Sequence, residues 1–150
     1  MRPASRLTFV AALLLAACAS TPAGVPPLLA GRESGIVAAQ FWDVHGAPGL
    51  HDLWRAAFGR LASPPPEPDV DFGRQMVLGV FLGRESRSGF GIQVTGVREL
   101  ADTVQVDVLF TAPGPGCLTA QVITQPYAIY ALPASPKPLR YAVRHVVKYC

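Results

Sequence analysis

Short apolar runs separated by brief breaks constrain the fold of this 150-residue chain more than any other feature. Across residues 104–110 every second residue has an apolar side chain, which is the period of a strand with one covered face. Residues 76–82 form a continuous apolar run instead, as expected of a central strand covered on both faces. The breaks between runs hold Gly, Pro, Asp and Ser and have hairpin length, so they favour antiparallel pairing.

One segment has helical periodicity. Apolar residues recur at three- and four-residue steps across residues 50–61, with Pro48 placed to begin a helix and Gly59 placed to end it. Further candidate strands lie at residues 35–41, 90–94, 120–132 and 139–149. We therefore predict one α+β domain over residues 35–150, in which one helix packs on an antiparallel sheet of about five or six strands.

The beginning of the chain has the layout of an export signal. Arg2 and Arg6 precede an apolar run of about 11 residues, roughly half the length of a membrane-spanning helix. The run ends in Leu-Ala-Ala-Cys, and a cysteine directly after small residues resembles the end of a bacterial lipoprotein signal. The resemblance implies a signal peptide over residues 1–17 and lipidation, including palmitate, on Cys18. A plain secretion signal or a short membrane anchor remains the alternative.

The same resemblance implies a place in the cell envelope. Residues 18–34 are rich in Pro, Ala and Gly without a periodic apolar face, so we expect the lipidated Cys18 to be followed by a flexible linker. Ala19 stands where some bacterial lipoproteins carry an Asp that retains them in the inner membrane. We therefore expect anchoring at the outer membrane, facing the periplasm, where two or more acyl chains give stable attachment.

The charge distribution argues against one class of partner. The chain has 13 Lys and Arg against 10 Asp and Glu, and Arg2 and Arg6 would leave with the signal. The remaining basic residues stand singly along the chain. Because nucleic-acid binding needs clustered cations, we predict no nucleic-acid partner.

Lipidation of Cys18 would leave Cys117 and Cys150 as the other cysteines of an exported chain. Two thiols in an oxidising compartment usually form a disulfide. The bridge would close a loop of about 34 residues and contribute roughly 3 to 4 kcal/mol in a chain-entropy model. Two reduced thiols remain the alternative.

Three motifs carry a family resemblance. Pro-Gly-Pro-Gly-Cys stands at residues 113–117, Gln-Val-Ile-Thr-Gln-Pro-Tyr at residues 121–127, and Ser-Gly-Phe-Gly-Ile at residues 88–92. Together they resemble the PrcB family domain, most closely over residues 70–150. The family pattern differs at Ser88, where a second glycine is expected. The resemblance implies an exported bacterial protein from a family that is largely of unknown activity. The family takes its name from an accessory, non-catalytic subunit of a protease complex.

The proline-glycine segment is expected to be a stiff, sharply shaped turn, because proline fixes φ and glycine permits positive φ. Rigid turns beside polar and aromatic strand faces often bind partners. The candidate partner surface consists of Pro113, Gly114, Pro115, Gly116, Gln121, Thr124, Gln125 and Tyr127. Its expected partner is an unidentified envelope protein, such as a protease. A turn that only closes a hairpin is the other interpretation.

The sequence contains no recognisable catalytic, metal or cofactor motif. The three histidines lack metal-ligand spacing, the serines lack a nucleophile elbow, and there is no phosphate-binding loop. We therefore predict no enzyme, no cofactor and no metal site, but a lipid-anchored interaction or accessory module. The alternative is a small-ligand binder or enzyme that uses a cleft around Gln121, Thr124 and Tyr127.

Overall fold

The computed structural model describes residues 24–150, which form seven strands and one helix. In chain order these elements are β1 (Leu29–Gly31), β2 (Gln40–Val44), α1 (Ala47–Phe58), β3 (Gln75–Phe81), β4 (Gly91–Glu99), β5 (Val104–Pro113), β6 (Tyr127–Pro133) and β7 (Leu139–Lys148). The predicted signal peptide (1–17) and the lipidation site Cys18 lie outside the described residues.

The strands form two sheets. β1, β6, β3 and β2 lie side by side in that order in an antiparallel four-stranded sheet. β4, β5 and β7 form a three-stranded sheet, in which β4 and β5 are antiparallel but β5 and β7 run parallel. The chain passes from β5 through β6, in the other sheet, before it reaches β7. The parallel pair is therefore connected across the two sheets.

β3 lies in the middle of the core and is covered on both faces. Met76, Leu78 and Val80 pack against buried residues of the three-stranded sheet, whereas Val77 and Phe81 pack on the helix side. Strands with two covered faces are nearly continuous in apolar residues, because neither face meets water. The predicted central strand is confirmed.

α1 covers the other face of the four-stranded sheet, so the molecule has three layers. Its buried residues form one apolar stripe: Leu50, Leu53, Trp54, Ala57 and Phe58. Pro48 lies in the first turn, and the Gly59 N–H ends the helix by donating to the Arg55 carbonyl oxygen at 3.0 Å. The predicted beginning and end of the helix are confirmed.

The prediction of a single antiparallel sheet of about five or six strands is wrong, although the mixed α+β class is confirmed. The alternation in β5 is real, with Val104, Val106, Val108 and Phe110 buried. Alternation shows that one face of a strand is covered, but it does not show which sheet the strand joins. The short connections were expected to link neighbours in one sheet, and several instead carry the chain from one sheet to the other.

The first predicted strand, at residues 35–41, is also displaced, because only its end belongs to β2. The preceding residues fold over the end of α1 instead. The Gly35 N–H donates to the Ala57 carbonyl oxygen, and the Ile36 N–H donates to Ser34 Oγ. Burial of Ile36 beside the helix explains why an apolar segment here need not be a strand.

The described part of the predicted linker, residues 24–34, makes regular contacts with the domain. β1 pairs with β6, and the Val25 N–H donates to the Val94 carbonyl oxygen at 3.0 Å. β1 has only three residues, which is too short to show an alternation of apolar and polar residues, so the sequence did not predict it as a strand. Ordered pairing is therefore already present at Val25, ahead of the expected domain boundary at residue 35.

Candidate functional site

The Pro-Gly-Pro-Gly-Cys segment forms a tight turn directly after β5. Pro115 and Gly116 are its central residues, and Gly116 has a φ of +88°. The Cys117 N–H donates to the Gly114 carbonyl oxygen at 3.3 Å. Proline at the second position and positive φ at the third are the features of a type II β-turn. Since glycine adopts this φ without strain, the local sequence determines the shape of the turn.

A disulfide joins this turn to the end of β7. Cys117 and Cys150, the cysteines expected to pair, are bonded, with their Cα atoms 5.0 Å apart. The Gly114 N–H donates to the Lys148 carbonyl oxygen at 2.8 Å, and a Cβ on Gly114 would lie 2.9 Å from that oxygen. The close approach of the turn to β7 therefore requires glycine at position 114.

The loop between β3 and β4 supports the turn from another side. Arg87 donates from Nη2 to the Pro113 carbonyl oxygen at 3.0 Å. Gly89 has a φ of +103°, and a Cβ on it would lie 3.1 Å from Cβ and Cγ of Pro113. Two of the motifs recognised in the sequence are therefore in direct contact.

The third motif joins the same loop. The Thr124 hydroxyl donates to the Arg87 carbonyl oxygen at 3.1 Å, while Thr124 and Glu85 exchange backbone hydrogen bonds of 2.9 and 2.8 Å. The Ser88 N–H donates to the Ala120 carbonyl oxygen, and the Ala120 N–H donates to Ser88 Oγ. We call these three contacting segments, residues 85–89, 113–117 and 119–124, the motif junction.

Three apolar side chains of this region extend into solvent. Leu118 is fully exposed, Ile123 is 60% exposed and Val122 is 51% exposed. The disulfide at Cys117 precedes them and the buried Thr124 follows them, so both ends of their loop are held. We call Leu118, Val122 and Ile123 the apolar loop. Exposed apolar residues on a held backbone are a feature of binding surfaces.

The predicted partner surface divides into an exposed and a buried part. Pro115, Gly116 and Gln121 are exposed and Gln125 is half-buried. The buried members are Pro113, Gly114, Thr124 and Tyr127. Pro113, Gly114 and Thr124 shape the junction, whereas Tyr127 packs against Phe58 outside it. Only the exposed residues can meet a partner directly.

Sequence reasoning missed the apolar loop because residues 120–132 were predicted as one strand. β6 begins at Tyr127, and before it the chain makes an isolated bridge between Thr124 and Glu85. The available signal was a run of apolar residues between a glycine-rich turn and Pro126, where a regular ladder is hard to continue.

The structure does not bring Gln121, Thr124 and Tyr127 around a common cleft. Tyr127 packs edge-on against Phe58, with ring centroids 5.0 Å apart, on the helix side of the four-stranded sheet. The Thr124 hydroxyl donates to the Arg87 carbonyl oxygen, and Gln121 lies exposed on the loop. Burial, aided by the charge of Glu33, raises the pKa of the Tyr127 hydroxyl above its usual range.

Residues 24–150 include the three histidines and one helix. No three His, Cys, Asp or Glu side chains in this part of the chain are grouped so as to hold a metal ion. His51 Nδ1 lies 3.3 Å from Glu67 Oε2, and the His145 ring packs edge-on against Phe110. None of the helical structure described has the length and apolar character needed to span a membrane.

Comparison with known families supports the motif assignment. Residues 76–133 match the family model described as PrcB C-terminal. The match begins in β3 and ends with β6, so it contains the whole motif junction. The resemblance inferred from the motifs is therefore confirmed for this segment. No curated protein and no solved structure matches the chain.

Proposed function

We propose that this chain, which is PrcB C-terminal-like over residues 76–133, is an accessory protein that binds a partner and does not itself catalyse a reaction. The family resemblance implies association with a protease complex. The proposed partner is therefore a protease or another protein of the bacterial envelope.

The observation that carries this proposal is the apolar loop on the motif junction. The disulfide, the type II turn and the Thr124 hydrogen bonds hold the backbone on both sides of Leu118 and Ile123. A surface that is already ordered loses less conformational entropy when it binds. Covering an exposed Leu or Ile contributes about 1.5–3 kcal/mol per side chain.

The proposal includes a lipid anchor on Cys18. The Leu-Ala-Ala-Cys signal supports it, and the Cys117–Cys150 disulfide suits an exported protein. Six residues separate Cys18 from Val25, the first residue paired with the domain. A chain of that length spans at most about 20–25 Å. The domain would therefore stay close to the membrane surface.

Recovery of the partner from the native cells tests the binding role. The tagged full-length protein is crosslinked gently, purified and compared with the double variant Leu118→Ser/Ile123→Ser. We expect the double variant to recover at least about tenfold less partner, because two apolar contacts are lost. Leu100→Ser is the matched control, since Leu100 is exposed between β4 and β5, at the opposite end of β5 from the motif junction. A protein that is always recovered alone contradicts the proposal, as does an equal loss in the control.

The anchor is tested separately with Cys18→Ser. We expect the variant to leave the membrane fraction, whereas the parent protein stays there and carries the mass of its acyl chains. If the variant remains membrane-bound with an unchanged mature mass, the lipid is refuted. The binding role of the apolar loop would still stand on its own test.

A further inference from the structure

β7 forms one edge of the three-stranded sheet, and no strand of residues 24–150 pairs with its outer side. It is ten residues long, and it is exposed from Ala142 onwards. Val143, Val146 and Val147 are among its exposed side chains. A long exposed edge strand rich in β-branched residues is a template on which another strand can pair.

The register shows which backbone groups of β7 are free. The Gly114 N–H donates to the Lys148 carbonyl oxygen, and the Val104 N–H donates to the Pro138 carbonyl oxygen. In a parallel pair, alternate residues turn both backbone groups toward the neighbouring strand. The even-numbered residues therefore bond to β5. The odd-numbered residues, such as Val143, present their N–H and C=O groups at the open edge.

Positive charge accompanies this open edge. Arg140, Arg144 and Lys148 stand at every fourth position of β7 and are exposed. Successive members are about 13 Å apart along the strand. Leu139, on the opposite face of β7, lies in the core beside Val104, so the three cations share the outer face of the sheet.

We infer that the open edge of β7 binds an extended, acidic segment of a partner protein as an additional strand. This inference rests on the proposed function, and it names the chemistry of the partner. Backbone pairing would give affinity in the manner of known β-augmentation, and carboxylates would face Arg140, Arg144 and Lys148.

The same charges disfavour a second copy of this chain as the occupant. An antiparallel pairing of two β7 strands about Arg144 places Arg144 opposite its own copy and Arg140 opposite Lys148. Pairing about Val143 leaves the cations as diagonal neighbours. Like charges in such positions are destabilising, whereas an acidic strand would neutralise them.

A cavity at the end of β7 offers a place for one side chain of the added strand. Its volume is about 290 Å³, below the range of about 300–1,000 Å³ that is usual for small-molecule sites. Its lining is mainly apolar and includes Leu82, Phe90, Phe110, His145 and Val147. An apolar or aromatic residue of the partner segment fits this lining.

Residues 24–31 do not cover this edge. Val25 bonds to Val94 on β4, which is the opposite edge of the same sheet. Val25 therefore lies two strands away from β7, roughly 10 Å across the sheet.

The affinities of three synthetic ten-residue peptides for the purified mature protein test binding at the open edge of β7. The first alternates Glu and Val and ends in Phe, the second has Lys in place of Glu, and the third is the first peptide with every backbone nitrogen methylated. We expect the Glu peptide to bind at least about tenfold more tightly than the Lys peptide, because three ion pairs are gained. The methylated peptide should not bind, because it cannot form a ladder.

Two variants locate the binding at β7, and a third serves as their control. The affinity for the Glu peptide should fall about tenfold in the triple variant Arg140→Gln/Arg144→Gln/Lys148→Gln. Val143→Pro should abolish binding, because it removes an outward N–H while sparing the bonds to β5. Ala142→Pro removes an inward N–H and should lower the melting temperature much more than Val143→Pro does.

Several results would overturn the inference. One is that the Glu and Lys peptides bind with equal affinity. Another is that the Glu peptide does not bind at peptide concentrations up to about 1 mM. A third is that the variant without Arg140, Arg144 and Lys148 binds the Glu peptide as tightly as the parent protein does. If the parent protein dimerises and Val143→Pro abolishes the dimer, the occupant of the open edge of β7 is a second copy of this chain. Charge-dependent retention on phosphatidylglycerol–phosphatidylethanolamine vesicles without peptide binding would assign it to a lipid surface. In each case partner recovery through Leu118 and Ile123 would still test the proposed function independently.

Discussion

The hydroxyl oxygen of Tyr130 accepts a hydrogen bond from the Val94 N–H at 3.2 Å. Tyr130 belongs to the four-stranded sheet and Val94 to the three-stranded sheet, so this bond joins the two sheets through the core. It lies at the β-bulge between Val94 and Gly96, where the pairing of β4 with β5 shifts register. Val94 turns its backbone groups to the side of β4 away from β5, where its carbonyl oxygen accepts from the Val25 N–H and the tyrosine hydroxyl satisfies its own N–H.

Replacing Tyr130 with Phe should lower the free energy of unfolding by about 1–3 kcal/mol, because the Val94 N–H would stay buried without a partner. Urea unfolding of the purified domain measures the change. Tyr149→Phe is the matched control, since Tyr149 is 75% exposed and should change little. Equal stabilities of the two variants would contradict the proposed role of the Tyr130 hydroxyl.

Tyr141 should make the domain less stable at alkaline pH. Burial raises the pKa of Tyr141 well above its usual value, and the hydrogen bond to Asp43 and the negative charge of Asp43 raise it further. The unfolded chain therefore loses this proton near pH 10 while the folded chain keeps it. The stabilisation is fully present below pH about 10 and falls above it by up to about 1.4 kcal/mol per pH unit.

Urea unfolding between pH 7 and 11 measures this effect. Tyr141→Phe keeps the aromatic contact with Phe41, whose ring centroid lies 4.0 Å away, but has no proton to lose. Its stability should therefore fall less steeply above pH 10 than that of the parent protein. Parallel curves for the two proteins would be the contrary result.

Removing the disulfide should destabilise the domain by about 3–4 kcal/mol in the chain-entropy model, given the loop that it closes. Cys117→Ser/Cys150→Ser, compared with the oxidised parent by urea unfolding, measures this loss. Hydrogen exchange should also accelerate at Leu118 and its neighbours, because one end of the apolar loop is released. Unchanged exchange there would show that the disulfide does not hold the loop.

Gly116→Ala should cost about 1–3 kcal/mol, because a residue with a Cβ is strained at a φ of +88°. No atom lies within 4 Å of the added Cβ, so the cost arises from the backbone alone. Gly91→Ala is the control, since its Cβ would meet Thr111 at an ordinary 3.7 Å. If both variants have the same melting temperature as the parent protein, the turn does not require glycine.

Thr124→Val tests the hydrogen bond that joins two segments of the motif junction. The change keeps the shape but removes the hydroxyl that donates to the Arg87 carbonyl oxygen, and should cost about 1 kcal/mol. Thr124→Ser retains the donor and should recover most of this loss in thermal unfolding. A serine variant no better than valine would indicate that the methyl group, and not the hydroxyl, is important.

Local sequence patterns predicted the elements well where one physical cause dominates. The period of β5, the continuous apolar run of β3 and the proline and glycine flanking α1 each reflect burial or backbone geometry within one element. The contacts between elements left no comparable pattern. Tyr130 reaches across to Val94, and β5 pairs in parallel with β7, through relations that depend on the whole fold.

The candidate site shows the same division. The turn at Gly116 follows from residue types alone, because proline and glycine restrict the backbone directly. The contacts of Arg87 with Pro113 and of Thr124 with Arg87 join residues 26 and 37 positions apart, which local periodicity cannot reveal. The exposure of Leu118 was missed for a related reason, since an apolar residue near a strand pattern is usually buried.

Photo-crosslinking from position 118 in living cells tests the partner-binding role most directly. A photoreactive residue replaces Leu118 in the full-length protein, and the same residue in place of Leu100 serves as the control. We expect one discrete crosslinked protein from position 118, lost when Ile123→Ser is added, and none of it from position 100. No crosslink from position 118, or the same products from both positions, would contradict the account.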